Sequence, residues 1–304
     1  MALKYVKFFT GNRDYLYVER DDCAAIIANM QISSLVPQTE DCLSGGYWDN
    51  MLLFARIVEG LGKDRAKHLV LGGGLGSYVP SLTYYFKEHK VKAFELNSEI
   101  FFLSQALIKK NYSDANVEVI NNNAINVSDD DLSQADCIFF DLYDDKGILD
   151  ICLSKEIHKR IQDKAKEDVI VTFNVHDLFF NEKEKSLSYY YATILKQFYK
   201  YIYFAPDGNS ASLICSNMNH GIDCVSQAVD WLNSLQVRQL KALQYDGFEV
   251  DPDRFVKKSF IEQVEMGGIL QEYDGTLFTK LINDLKELDR LKILELMREK
   301  SNFL

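Results

Sequence analysis

The sequence predicts an α/β protein. A mostly parallel sheet carries helices on both faces and closes in an antiparallel hairpin, with a small antiparallel β-domain in front and a helical extension behind. After residue 66, apolar strands alternate with helical stretches of about a dozen residues, which builds βαβ units and hence a parallel sheet. Short β-like pieces fill residues 3 to 38, and helical patterns alone follow residue 221. The expected division is residues 1–45 for the β-domain, 46–221 for the α/β domain and 222–304 for the extension.

Taken in order, KYVKFFTGN, DYLYVERD and AAIIANMQISS read as strands of the small sheet. KHLVLGG opens the core and YVPSLTYYFKEH is its helix; KVKAFEL and SEIFFLSQALIKKNY form the next pair, and NVEVINN a third strand. Within the polar NVSDDDLSQ, Asp129 to Asp131 read as a solvated loop with a helix cap. ADCIFFDLYDD supplies a fourth strand, Ser154 to Lys166 an amphipathic stretch, DVIVTFN a fifth strand, and Ser186 to Phe198 a helix. YKYIYFAP and SASLICS lie too close together for a crossover helix, so they pair antiparallel. From Leu277 on, Phe278, Leu281, Leu285, Leu288, Leu291 and Leu294 recur at helical spacing. Such a face packs on the chain's own core or forms a dimer contact.

The 304 residues are 47% hydrophobic and 26% charged, enough for one large core with a smaller appendage. A formal charge of −11 repels a phosphate backbone and makes nucleic acid a poor partner, while it attracts a cationic small molecule such as an amine. The charged start and the lack of any run of ~18 apolar residues imply a cytoplasmic protein with no membrane partner. Cys23, Cys42, Cys137, Cys152, Cys215 and Cys224 have neither paired nor zinc spacing, so free thiols and no metal are expected. His68, His89, His158 and His220 read as surface or strand-flanking residues. His176, beside Asp177, titrates in a range that suits a base.

The chemistry begins at LGGGLGS. In a parallel α/β sheet, ligands bind at the carboxyl ends of the strands, and the first strand-to-helix turn approaches them most closely. Gly72, Gly73, Gly74 and Gly76 remove the Cβ atoms that would block that approach. Glu95 ends the next strand, 19 residues after Gly76, where a carboxylate can accept hydrogen bonds from both hydroxyls of a ribose. A glycine turn with such an acid fits NAD and S-adenosylmethionine equally. Two features favour the second: GGGLGS has no third glycine at the G-x-G-x-x-G spacing, and the sheet ends in a helix and hairpin instead of a second mononucleotide half. That order is the one of Rossmann-like class I adenosylmethionine-dependent transferases, the methyltransferase-type fold.

From about residue 3 to residue 217 the chain resembles the spermidine synthase family, the polyamine aminopropyltransferases. ANMQ keeps Gln31 of the family's D-G-x-x-Q, and YWD is similar to Y-H-E, keeping Tyr47 and an acid, Asp49. GGGLGS resembles G-G-G-D-G-G; FELN resembles V-E-I-D through Glu95; NNA, with Asn123 and Ala124, stands where G-D-A holds the adenine amino group. DLYD keeps Asp141 and Asp144 of the catalytic D-[ST]-x-D, and APDG resembles Y-P-S-G, with Ala205 in place of the tyrosine. The resemblance implies that Gln31, the four glycines, Glu95, Asn123 and Ala124 hold S-adenosylmethionine or its decarboxylated form. It implies too that Asp141, Asp144 and Tyr47 act on an amine. Leu75 replaces the acid that holds the donor's terminal amine, and NVH places Asn174 and His176 where Q-x-E seats the polyamine.

An amine with a pKa near ~10.4 arrives as an ammonium ion and must lose a proton before it attacks carbon. Carboxylates bind that cation and help remove its proton, while Tyr47 and Tyr143 offer hydroxyls or aromatic faces to an ammonium or a sulfonium. An Asp-x-x-Asp after a strand also serves as a turn or helix cap. Three functions stay open: aminopropyl or related alkyl transfer to an amine; methyl or aminocarboxypropyl transfer, which Leu75 favours; and nucleoside binding without catalysis.

Overall fold

A computed structural model describes residues 4–251 apart from 11–12, 29–30, 145–146, 178, 208–209 and 236–239. The amphipathic face expected from Leu277 to Leu294 lies outside the described residues. In the front part, β1 (Lys4–Thr10), β2 (Arg13–Glu19), β3 (Cys23–Ala28) and β4 (Gln31–Pro37) form an antiparallel sheet in sequence order. Strand alternation sends Leu16, Val18, Ala25, Ile27 and Leu35 to one face, against Trp48, and Tyr15, Tyr17, Ala24, Ile26 and Val36 to the other. The second face does not meet solvent; it packs on Leu75, Ile100 and Leu107 of the following part.

Next comes α1 (Asn50–Gly60), a helix for which the sequence pattern gives no warning. Met51 to Ala55, Ile57 and Val58 are all buried, and only Arg56, Glu59 and Gly60 near its end reach solvent, too narrow a polar face to make the period visible. The core continues as β5 (Lys67–Leu71), α2 (Val79–Tyr85), β6 (Lys90–Glu95), α3 (Ser98–Asn111), β7 (Val117–Asn121), α4 (Asp129–Gln134) and β8 (Cys137–Phe140). The short pair β9 (Tyr143–Asp144) and β10 (Gly147–Ile148) follows, then α5 (Lys155–Lys164), β11 (Ile170–His176), α6 (Leu187–Leu195), β12 (Tyr201–Asp207), β13 (Ser210–Ser216), α7 (Ile222–Leu235) and β14 (Leu243–Gln244). The eight-stranded sheet has the order β14-β12-β13-β11-β8-β5-β6-β7. β11, β8, β5, β6 and β7 are parallel, whereas β13, β12 and β14 pair antiparallel.

Both faces of this sheet are covered, which is why its strands read as continuous apolar runs. Leu69, Leu71, Ile138, Phe140, Val171 and Phe173 meet α4, α5 and α6 on one face. Val70, Cys137, Phe139 and Ile170 meet α1, α2 and α7 on the other. α3 bridges the two parts, with Phe101 and Ile108 toward the sheet and Ile100 and Leu107 toward the β-domain.

Three expectations are corrected. Asp129 to Asp131 form the first turn of α4, not a loop: the Ser128 hydroxyl accepts from Asp131 N at 3.0 Å, and the acids sit at the positive end of the helix dipole. The chain beyond residue 221 is not helical alone, because β14 joins the outer edge of β12. His68, His89 and His158 are buried and not surface residues, although His89 does flank β6, and His220 is half-buried. His68 and His158 are 2% and 0% exposed; His68 Nε2 meets His89 Nδ1 at 3.0 Å, and His158 bridges the Tyr199 hydroxyl and the Cys152 carbonyl at 2.9 and 2.8 Å. His158 thus has a partner at each ring nitrogen, whereas His68 Nδ1 and His89 Nε2 are buried with none among the described residues. None of the six cysteines forms a disulfide, and among the described residues no helix is long and apolar enough to cross a membrane.

Candidate active site

The site lies at the carboxyl edge of the parallel strands, where β5 runs into its glycine turn. A Cβ on Gly72 would stand 2.2 Å from the Asp141 carbonyl oxygen, and Gly72 has φ +100°, so only glycine fits. Gly73 N donates to the Phe94 carbonyl at 2.9 Å, tying the turn to the end of β6. Gly74 N and Asn97 N each donate at 2.8 Å to different oxygens of Glu95, whose side chain thereby braces the turn. Burial raises the Glu95 pKa, with these hydrogen bonds opposing the rise.

The other side of the turn is fastened to the β-domain. Leu75 N donates to Ser34 Oγ at 3.0 Å, Leu35 N donates to Ser77 Oγ at 3.0 Å, and the two hydroxyls meet at 2.8 Å. Leu75 itself is 0% exposed in the apolar cluster with Tyr15, Tyr17, Ile26 and Val36. Its side chain is therefore committed to the junction, away from the cleft edge.

Asp141 follows β8, directly beside the glycine turn, and Asp141 N donates to the Leu71 carbonyl at 2.8 Å. The register Phe140 to Phe173 puts Asn174 alongside it, and Asn174 Nδ2 donates to Asp141 Oδ1 at 3.1 Å. Burial pushes the Asp141 carboxyl up to about 6, with the Asn174 bond opposing. The Tyr143 hydroxyl donates to the Asn174 carbonyl, and the Tyr47 ring lies against Trp48, tilted by 34° with ring centroids 4.3 Å apart. Burial, and then the charge of Asp141, raise both phenols well above their ordinary value. A carboxylate poised near neutrality, an amide that orients it and protonated phenols around it form a seat for a cation with N–H donors. Asn174 Oδ1 adds a buried acceptor with no partner among the described residues.

A sequence profile of the spermine/spermidine synthase domain matches residues 54–221. The chain belongs to the spermine/spermidine synthase family. A probable spermidine synthase from Corynebacterium glutamicum superposes with a TM-score of 0.59 at 12% identity, covering 81% of this chain and 95% of that one. Spermidine synthase from Thermotoga maritima gives a TM-score of 0.50 at 15% identity, covering 87% of each chain. At such identities these two show a shared fold. No curated protein matches the sequence.

Among the residues on which the spermidine synthase resemblance rests, Asp141, Tyr47, Tyr143 and Asn174 come together around one carboxylate, and Glu95 and the glycines adjoin it across β5. Asp49 is occupied elsewhere: it is 0% exposed, and its carboxylate accepts from Ser44 N at 3.0 Å and Gly45 N at 2.7 Å. Asn123 caps the short turn Ala124–Asn126 by accepting from Ile125 N at 3.1 Å, with Ala124 buried beneath. His176 is half-buried, and burial lowers its pKa. The side chains of Gln31 and Asp144 lie outside the described residues. Missed by sequence reasoning are Leu96 and Ile125, large apolar side chains 68% and 47% exposed, which flank Glu95 and Asn123 at the ligand edge. Tyr78 was missed as well, since an aromatic residue opening a helix reads as core. Among the described residues no cluster of metal-ligating side chains occurs.

Proposed function

We propose that this family member transfers an alkyl group, aminopropyl in the first instance, from the sulfonium of an S-adenosylmethionine-type donor to an amine. The carrying observation is Asp141: a carboxyl raised to about 6, oriented by Asn174 and set beside the glycine turn. At neutral pH it is mostly ionised, so it attracts the ammonium form of the acceptor and takes its proton. The freed nitrogen lone pair attacks the carbon bonded to sulfur. That C–S bond breaks, and its electron pair leaves with the neutral thioether. Positioning supplies most of the remaining acceleration.

The residues fit such a donor. Glu95 keeps unused lone pairs for ribose hydroxyls, Leu96 and Ile125 offer apolar faces to a purine, and Gly72 lets the Asp141 backbone close up against the turn, which brings that carboxyl beside it. A second reading, methyl or aminocarboxypropyl transfer from intact S-adenosylmethionine, is favoured by Leu75: no acid stands at that point of the turn to meet a donor ammonium or repel a donor carboxylate.

Calorimetric titration with S-adenosylmethionine, decarboxylated S-adenosylmethionine and methylthioadenosine, followed by mass-spectrometric assay with mono-, di- and polyamines, tests both. Tighter binding of the decarboxylated donor with alkylated amine as product supports the first; preference for the intact donor supports the second. In Asp141→Asn, turnover should fall by roughly 10²–10⁴ while donor affinity holds. Donor binding without turnover of any amine would leave a nucleoside-binding protein.

A further inference from the structure

The Tyr78 hydroxyl is buried and, like Asn174 Oδ1, has no hydrogen-bond partner among the described residues. Tyr78 stands immediately after the glycine turn at the start of α2, and its ring packs into the apolar cluster under α1 and α2. Because β6 and β8 flank β5, Glu95 and Asp141 stand on either side of the turn that leads into Tyr78. Both carboxylates act on the phenol: burial raises its pKa, and the charges of Glu95 and then Asp141 raise it further, so it stays protonated.

An orphaned phenol in a protein interior costs free energy that a bound group must recover. The surrounding charge decides which group. An anion between two carboxylates would be repelled, whereas a positive centre is favoured by both and by the electron-rich oxygen and ring of a phenol. In the ligand proposed above, the positive centre is the sulfonium, which joins the ribose held near Glu95 to the carbon that reacts near Asp141.

We propose that Tyr78 is a binding residue for the sulfonium centre of the donor, its hydroxyl oxygen facing the positively charged sulfur and the carbons attached to it. This assignment rests on the sulfonium-donor function. It distinguishes the reactive donor from its spent product, since loss of the alkyl group leaves a neutral thioether and removes the charge that Tyr78 recognises.

The test uses Tyr78→Phe, which keeps the packed ring and deletes only the unpartnered hydroxyl. Affinities of wild type and variant are measured by calorimetry for S-adenosylmethionine, its decarboxylated form and S-adenosylhomocysteine, and ligand-free melting temperatures are compared. The expected result is a loss of roughly tenfold for the sulfonium that wild type binds, S-adenosylhomocysteine unchanged within about twofold, and an equal or higher melting temperature without ligand. Equal weakening for sulfonium and thioether, no weakening for either, or a lowered ligand-free melting temperature would overturn the assignment and leave the transferase reading standing. Failure of wild type to bind any of the three would overturn both.

Discussion

At the scale of single residues, the site accepts instability in return for reactivity. Asp141 has its pKa raised from an ordinary 3.8 to about 6 by burial. Between those values the folded protein holds a proton that the unfolded chain has released, so this residue's contribution falls as pH rises through the window. The Asp141→Asn variant, which should slow turnover, should therefore be more stable than wild type at pH 7, by up to about 3 kcal/mol, and lose that advantage below pH 4. Thermal unfolding of the pair across a pH series checks it; parallel curves would mean that Asp141 is not strained by burial. Asp49 shows the opposite case. It matched an acid of the family pattern, yet its carboxylate is given over to backbone donors in its own loop.

At the scale of elements, the junction between the glycine turn and β4 is held by paired hydroxyls. Ser34→Ala orphans Leu75 N and Ser77→Ala orphans Leu35 N, each buried, so each should cost about 1–3 kcal/mol. Since the two serines also bond each other, the double variant should cost less than the sum, which a urea-unfolding double-mutant cycle would measure. Additive costs would mean that the hydroxyls act independently. The strands of the core were legible in the sequence because burial on both faces leaves apolar runs between polar turns. α1 was not, since its apolar residues run unbroken from Met51 to Ala55 and only its end carries exposed polar ones, and β14 was not, since two residues at an edge carry no pattern. Glu95, Asp141 and the glycines were legible because acids and glycines at strand ends have few structural uses. The direction of Leu75 was not, because the letters of a turn do not say which side faces the cleft. Leu96, Ile125 and Tyr78 were hidden for a related reason: apolar and aromatic residues usually mean core.

At the scale of the molecule, two buried histidines contribute to the response to acid. Burial holds His68 near about 3 and His158 near about 4, so both are neutral in the folded state. The unfolded chain binds protons at ~6.5, and stability is lost as pH falls from there toward 4. The melting temperature should drop over that range, and more shallowly in His158→Gln; an unchanged slope would show that other groups govern acid unfolding. The fastening of the turn to the β-domain bears on how such a protein can be inherited or re-engineered. Transplanted alone into a scaffold without Ser34 and the Tyr15, Tyr17 and Ile26 face, GGGLGS would strand an oily side chain, the Leu75 backbone donor and the Ser77 hydroxyl at an interface not shaped for them. The turn and the preceding sheet thus form one module, and a chimera that joins relatives here keeps a working cleft only if its crossover falls outside both.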